Sequence, residues 1–250
     1  LDMEGFDQAM AAQRAKSKSV AAFSTISDAY KNLSAKGIKP EFVGYDTLKA
    51  ESKVLVLVKD GQEISKAAAG QEVEVLVEST PFYAEAGGQV GDAGKISGPK
   101  FDMSVTDTFK DPTGLIIHKG KVLSGTLKKG TRVTLSVDEA QRKATALNHT
   151  ATHILHAVLR RVLGEHVKQA GSLVAADRLR FDFTHFSIVD AATLIQLETL
   201  VNQRIRENIP TQIAEMEAED AFQSGATALF EEKYGDRVRV VSLNDFSKEL

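Results

Sequence analysis

Between residues 42 and 137 the chain breaks into short apolar runs set off by glycine, proline and aspartate: 53–59, 72–78, 94–96, 103–109, 115–119 and 131–137. Runs this short, at close and regular spacing, make strands and not helices. A series of them must close on itself or pack as two sheets to hide its edges. A small β-barrel or sandwich is therefore predicted here. Asp60-Gly61, between Val58 and Ile64, is the dipeptide that a tight hairpin turn prefers, because both positions need positive φ.

The flanks have a different texture. Residues 1–36 are rich in Ala, Gln, Lys and Ser, with Phe6, Met10, Phe23, Ile26 and Leu33 at roughly helical spacing and Gly37 as a stop; the pattern predicts a helix broken once. After Val137 helical spacing returns, with Asp138 as N-cap ahead of Glu139, Ala140 and Gln141. Asn148 interrupts the pattern. From there a helix runs to Leu163, burying Ile154, Leu155, Val158, Leu159 and Val162 and carrying Arg160 and Arg161 near its end, where cations suit the helix dipole. A strand over 179–183, a helix over 191–208 after Asp190, and a strand over 237–243 complete the expectation. The fold class is α+β: a helical segment over 1–38, a small β-barrel over 39–137 and an α+β core over 138–250.

Composition narrows function by exclusion. An apolar share of 42% in 250 residues is enough to bury a proper core. Lys plus Arg of 31 against Asp plus Glu of 34 gives a net charge of −3, which excludes the global basic field of a chain that binds nucleic acid by charge alone. With no cysteine there is neither a disulfide framework nor a thiolate ligand. No apolar run has the length of a membrane span or a signal sequence, so a cytoplasmic protein without a membrane partner is expected. The chain opens on Leu1 and its last residues carry no stop signal, which reads as a piece of a longer protein.

The chemistry is concentrated in Asn148-His149-Thr150-Ala151-Thr152-His153. Residues four apart on a helix lie one above the other, so His149 and His153 can aim two imidazole nitrogens at one point, as a divalent metal requires. The alternative is a pair of polar-face histidines. Zinc needs about three or four protein ligands, so the pair is a half-site. Thr150 stands where a zinc protease carries its glutamate base, which argues against that class. His156 is either a third ligand or a structural histidine with its hydrogen bonds satisfied, and the second reading is preferred. Thr152 offers a hydroxyl near the pair, or bonds back to a helix carbonyl.

A second segment, Thr80-Pro81-Phe82-Tyr83-Ala84-Glu85-Ala86-Gly87-Gly88-Gln89-Val90-Gly91-Asp92, pairs glycines with Gln89 and Asp92. It is either a plain turn or a place where backbone approaches a ligand or another element closely. Gln169-Ala170-Gly171-Ser172 reads as a short polar loop with the same ambiguity. Arg178 and Arg180, with Lys168, Arg160 and Arg161, form either a phosphate-contacting edge or a solvated charged surface.

Taken together, these segments resemble the editing region of the alanyl-tRNA synthetase family. The opening Met3-Glu4-Gly5-Phe6-Asp7-Gln8-Ala9-Met10, with Gln13-Arg14, is similar to the entry into that region in bacterial members. Phe82-Tyr83-Ala84-Glu85 with Gly87-Gly88-Gln89 resembles its glycine-rich motif, shared with free-standing editing proteins. Residues 148–153 with Gln169 resemble the zinc and hydrolysis motif. The resemblance implies a barrel packed on an editing core of the threonyl/alanyl-tRNA synthetase type, with a cleft for the 3′ end of tRNA(Ala) mischarged with serine or glycine. It also implies zinc held by His149 and His153, and Thr152 and Gln169 lining the pocket that handles the wrong amino acid. Aminoacylation, with ATP and magnesium, would belong to an upstream domain, and DNA is not an expected partner. The reason for such a site is physical: a pocket for alanine cannot strongly reject glycine or serine, since such differences are worth about 1 to 3 kcal/mol.

One departure accompanies the match. The family completes its metal site with a Cys-x-x-x-His motif after a strand like 237–243, and this chain has no such residues; His118, His166 and His185 do not stand where they would replace them. The rival expectations are a free-standing trans-editing deacylase and a metal-free tRNA-binding module.

Overall fold

The computed structural model describes residue 10 and residues 28–35, 37–226, 236–244 and 246–249. The chain divides into two compact units, Leu1–Phe82 with Gly94–Ser136 and Tyr83–Ala93 with Val137–Leu250. The glycine-rich segment thus counts with the second unit.

The first unit is a closed barrel. Its strands β2 (Lys49–Lys59), β5 (Glu72–Val77), β7 (Gly94–Gly98), β8 (Phe101–Lys110), β9 (Ile116–Lys128) and β10 (Arg132–Val137) hydrogen-bond in the order β10-β7-β8-β9-β5-β2, and β2 pairs back to β10. Short strands decorate it: β1 (Glu41–Phe42) beside β6 (Ser79–Thr80), β3 (Gln62–Ile64) beside β2, and β4 (Lys66–Ala68) beside β9. Alternation sets the faces, with Val73 and Val75, Phe101, Met103 and Val105, and Val133 and Leu135 buried. The Asp60-Gly61 turn forms as expected, with φ of 50° and 76° and Lys59 opposite Gln62. Helix α1 (Asp28–Ala35) lays Tyr30 and Leu33 against Val56, Val58, Leu76, Leu115 and Ile117, and the Tyr30 hydroxyl donates to Glu74 at 2.8 Å. Gly37 follows it with φ of 71°, in the left-handed conformation a helix stop needs. Apart from α1 and Met10, the expected helix over 1–36 lies outside the described residues.

Strand β9 is far longer than the apolar run at 115–119. Gly120, which bounds that run in the sequence, and Gly125 both sit inside it. A Cβ on Gly120 would stand 1.9 Å from the Ser104 carbonyl oxygen and one on Gly125 1.8 Å from that of Lys100. These glycines mark close backbone approach and a bulge, not the strand's end.

The second unit is built around α2 (Glu139–Leu163), one helix of 25 residues. The break expected at Asn148 is absent. Instead, the Asn148 side-chain amide donates to the Ala175 carbonyl at 2.7 Å, so a residue with a turn preference serves as a tether between helix and loop. Asp138 caps the N-terminus by accepting from Gln141 N at 3.0 Å. Ile154, Val158 and Leu159 join Val167, Leu197 and Leu243 in one apolar cluster, each buried side chain being worth roughly 1.5–3 kcal/mol. Around α2 lie the hairpin β11 (Gln169–Val174) and β12 (Leu179–Phe183), helix α3 (Ala191–Arg206), and a sheet of β13 (Gln212–Glu217), β14 (Arg237–Leu243) and β15 (Ser247–Glu249), with α4 (Ala218–Gln223) beside it. Asp190 caps α3 through Thr193 N at 2.8 Å, a bond that holds its carboxyl below the usual range. Residues 169–172, expected as a loop, are the first strand of the hairpin. The bulge between Gln169 and Gly171 explains why no clean alternation announced it. Among the described residues no helix is long and apolar enough to cross a membrane.

Candidate active site

His149 and His153 stack on the same face of α2, ring centroids 5.0 Å apart and planes 13° from parallel. Each is steered from a different part of the chain. His149 Nδ1 lies 2.7 Å from Gln89 Oε1, and His153 Nδ1 bonds Glu249 Oε2. An amide oxygen and a carboxylate only accept, so both Nδ1 atoms carry the proton and Nε2 is the nitrogen left for a ligand. Burial, aided by the neighbouring His153 and Arg239 side chains and opposed by the Glu249 carboxylate, pulls His149 down to about 4, so its ring is neutral near pH 7, the form with a lone pair to give.

Glu249 takes His156 with its other oxygen, Nδ1 to Oε1 at 2.8 Å. Burial works to raise this carboxyl, and the hydrogen bonds from His153 and His156 overcome it, leaving it at about 2. The carboxylate therefore stays charged and anchors two helix residues to the last described strand.

Gln89 reaches His149 because of the turn before it. Ala86 and Gln89 bridge each other, and Gly87 and Gly88 have φ of 60° and 81°. A Cβ on Gly88 would meet the Ser172 carbonyl oxygen at 2.7 Å, and Val174 N donates to Gly88 O at 2.8 Å. The paired glycines thus serve both readings, a turn and a close approach to another element. Asp92 pins the base of the loop. It accepts from Tyr83 N at 2.6 Å and from Arg142 Nε at 2.9 Å, and a further bond joins it to the Arg142 terminal nitrogen.

These parts enclose a cavity of about 170 Å³ lined by His149, Thr152, His153, His156, Gln169 and Glu249 together with Tyr83, Ala86, Gly87, Ser172, Phe181 and Val241. All four expected site residues, His149, His153, Thr152 and Gln169, are brought together, and every wall belongs to the second unit. The Thr152 hydroxyl donates to the Asn148 carbonyl at 2.8 Å, as the plainer reading held, so toward the cavity it can only accept. His156 departs from the fully satisfied histidine expected: its Nε2 has no partner. Gln89 and Glu249 were missed as site residues; a glutamine after paired glycines and a glutamate near the C-terminus carry no local signal of a partner 60 or 96 residues away.

As a donor set for zinc, two imidazoles with Nδ1 already engaged and Nε2 left over are suited to bind, but they are half of a tetrahedral shell. Among the described residues no three or more histidine or carboxylate side chains are arranged so that they could hold one metal ion. His118 lies buried in the barrel, bonded to Thr80 and Val75, and His166 pairs with His185 at 2.9 Å. Arg178 and Arg180 are exposed and pair with their neighbours Asp177 and Asp182, which favours the solvated surface over a phosphate-binding edge.

Comparison with known proteins identifies the family of the chain. Residues 1–141 match the family model described as tRNA synthetases class II (A). Over its whole length the chain is 60% identical to an alanine--tRNA ligase of Desulfosudis oleivorans, 46% to one of Carboxydothermus hydrogenoformans and 44% to one of Desulforamulus reducens. It spans 28 to 29% of the length of these relatives. With more than half of its residues matched by the family model and its full length aligned to such relatives, the chain belongs to the class II tRNA synthetases of the alanyl family.

Proposed function

We propose that this chain is the editing region of an alanine--tRNA ligase and hydrolyses the ester that joins serine or glycine to tRNA(Ala). The observation that carries this reading is the pair of helix-borne imidazoles, both held as the Nδ1–H tautomer by Gln89 and Glu249, opening on one small cavity with Thr152 and Gln169. A cavity near 170 Å³ suits a small aminoacyl group with little room to spare. In this reading the barrel and the α+β unit are the two parts of an editing fold of the threonyl/alanyl-tRNA synthetase type, working in the cytoplasm on tRNA. The whole enzyme would join alanine to tRNA, as the name of the relatives says, and would use ATP and magnesium for it in another segment, as the family resemblance implies.

His149 and His153 would hold zinc, with further ligands from outside the described residues. When bound, the metal supplies a Lewis acid for the ester or an anchor for the amino group. The residues on hand do the rest. Gln89 and Glu249 keep the imidazoles oriented, Thr152 presents hydroxyl lone pairs, and Phe181 and Val241 give the cavity dry walls.

The test is hydrolysis of seryl-tRNA(Ala), glycyl-tRNA(Ala) and alanyl-tRNA(Ala) by a chain carrying its full metal shell. Seryl and glycyl esters should be cleaved and alanyl spared, and His149→Ala should abolish turnover; unchanged turnover would refute the ligand assignment. The donor count favours one second reading, a metal-free tRNA-binding module. Retained tRNA affinity with no metal uptake by the complete chain would establish that module instead.

A further inference from the structure

Among the described residues one buried polar side-chain atom stands without a partner, Nε2 of His156. The residue is 2% exposed, on the same face of α2 as the two proposed ligands, and its ring lies 5.3 Å from that of Phe181. Both residues line the cavity. The Glu249 carboxylate accepts from Nδ1 at 2.8 Å, so in the neutral ring the proton is fixed there and Nε2 is a bare lone pair. A buried acceptor left unmet is a liability that natural cores rarely keep.

Several other polar groups of the cavity already have work. The His149 and His153 Nδ1 protons go to Gln89 and Glu249, and their Nε2 atoms are the proposed metal donors. The Thr152 proton goes to the Asn148 carbonyl. Gln169, Ser172 and the Thr152 lone pairs also face a cavity whose volume, about 170 Å³, equals roughly five or six waters, but among the described residues His156 Nε2 is the one fully buried side-chain atom there without a partner.

We propose that His156 is a specificity-determining residue whose Nε2 accepts a hydrogen bond from the side-chain hydroxyl of a seryl group held in this cavity. The inference rests on the editing reading above and adds to it the means of telling serine from alanine, since a site that hydrogen-bonds a hydroxyl discriminates against the analogue lacking it. Glycine has no hydroxyl, so its acceptance must depend on size and lies outside the reach of His156. Glu249 acts through His156 as a positioning residue, fixing which nitrogen carries the proton.

The experiment reads the imidazole nitrogens directly. The full 250-residue chain, labelled with 15N-histidine, is titrated with adenosine carrying serine, alanine or glycine through a stable 3′ amide, and separately with zinc alone. The seryl compound should move the His156 Nε2 signal away from its bare-lone-pair position, and the alanyl and glycyl compounds should leave it. Preference for seryl over alanyl should be at least about tenfold and fall to near equality in His156→Phe. If the seryl compound shifts His149 and His153 signals while Nε2 of His156 stays put, the inference is overturned and the editing reading survives. If zinc alone moves that nitrogen, His156 is a ligand and the inference is again overturned. If no compound moves any cavity signal, the editing reading fails and takes the inference with it. The nitrogen shift is read on the unmutated chain, so a His156→Phe variant that does not fold leaves the test standing.

Discussion

Acidification should loosen the barrel through one residue, His118. It is fully buried on β9, with Nδ1 3.0 Å from the Val75 carbonyl and Nε2 2.7 Å from the Thr80 hydroxyl. The carbonyl only accepts, so Nδ1 donates, and Nε2 accepts from Thr80. The neutral ring is satisfied on both sides and has no place for a second proton. Burial drives its pKa down from 6.5 to about 4, against a smaller upward pull from the Val75 carbonyl. In the unfolded chain the same histidine takes up a proton below about pH 6.5. The sign follows: the barrel has this contribution in full above pH 6.5, and loses it as the pH falls toward 4, because only the unfolded state gains protons in that window. At about 1.4 kcal/mol per pH unit the loss comes to about 2 kcal/mol between about pH 7 and pH 5, and about 3 kcal/mol when complete. His118→Phe keeps the edge-on packing against Phe82, now 5.2 Å between centroids, but strands the Thr80 hydroxyl. It should therefore be less stable than the parent at pH 7, by about 1–3 kcal/mol, and lose the acid slope, so the two stabilities converge on acidification. Urea titrations followed by the amide signals of Val75 and Ile117 at several pH values would measure both curves. The reasoning is refuted if His118→Phe shows the parent's slope, or if the His118 ring titrates near 6.5 in the folded chain.

Three further outcomes are expected. Asp92→Asn should destabilise the second unit by about 3–5 kcal/mol in urea unfolding, because it leaves the largely buried Arg142 guanidinium facing a neutral partner. Gly88→Ala combines a φ of +81° with a Cβ 2.7 Å from the Ser172 carbonyl oxygen; a crystal structure should show the loop displaced and the Gln89–His149 bond lengthened or lost, whereas an unmoved loop would contradict the close-approach argument. Glu249→Gln keeps the size of the side chain but removes its charge and half its acceptor capacity, and should weaken zinc uptake by the complete site about 10- to 100-fold as read by calorimetry.

The legible parts of this molecule were those written locally. Six strands, the Asp60-Gly61 turn, both aspartate caps and the histidine pair follow from alternation, dihedral preference and helical spacing, each spanning a few residues. The errors share one cause. Asn148, Gly120 and Gly171 were read as local punctuation, whereas each serves a distant partner: a loop carbonyl for Asn148, neighbouring strand backbone for Gly120, and the Asp182 side chain for Gly171. A residue type that ends an element when it acts alone is tolerated inside one when a tertiary contact uses its side chain, or its lack of one. The site divides in the same way. Its helix-borne half was readable, while Gln89 and Glu249 became meaningful once the fold brought them to the rings.

The cavity draws on residues 83, 149 and 249 at once, so it spans two thirds of the chain. Translation delivers the helix long before Glu249, and until that residue leaves the ribosome His153 and His156 have no carboxylate to order them. Within these 250 residues, the pocket is thus among the last features to be completed. A polypeptide halted before Glu249 would expose the histidine helix without the strand that disciplines it, and would have a barrel but an unfinished pocket.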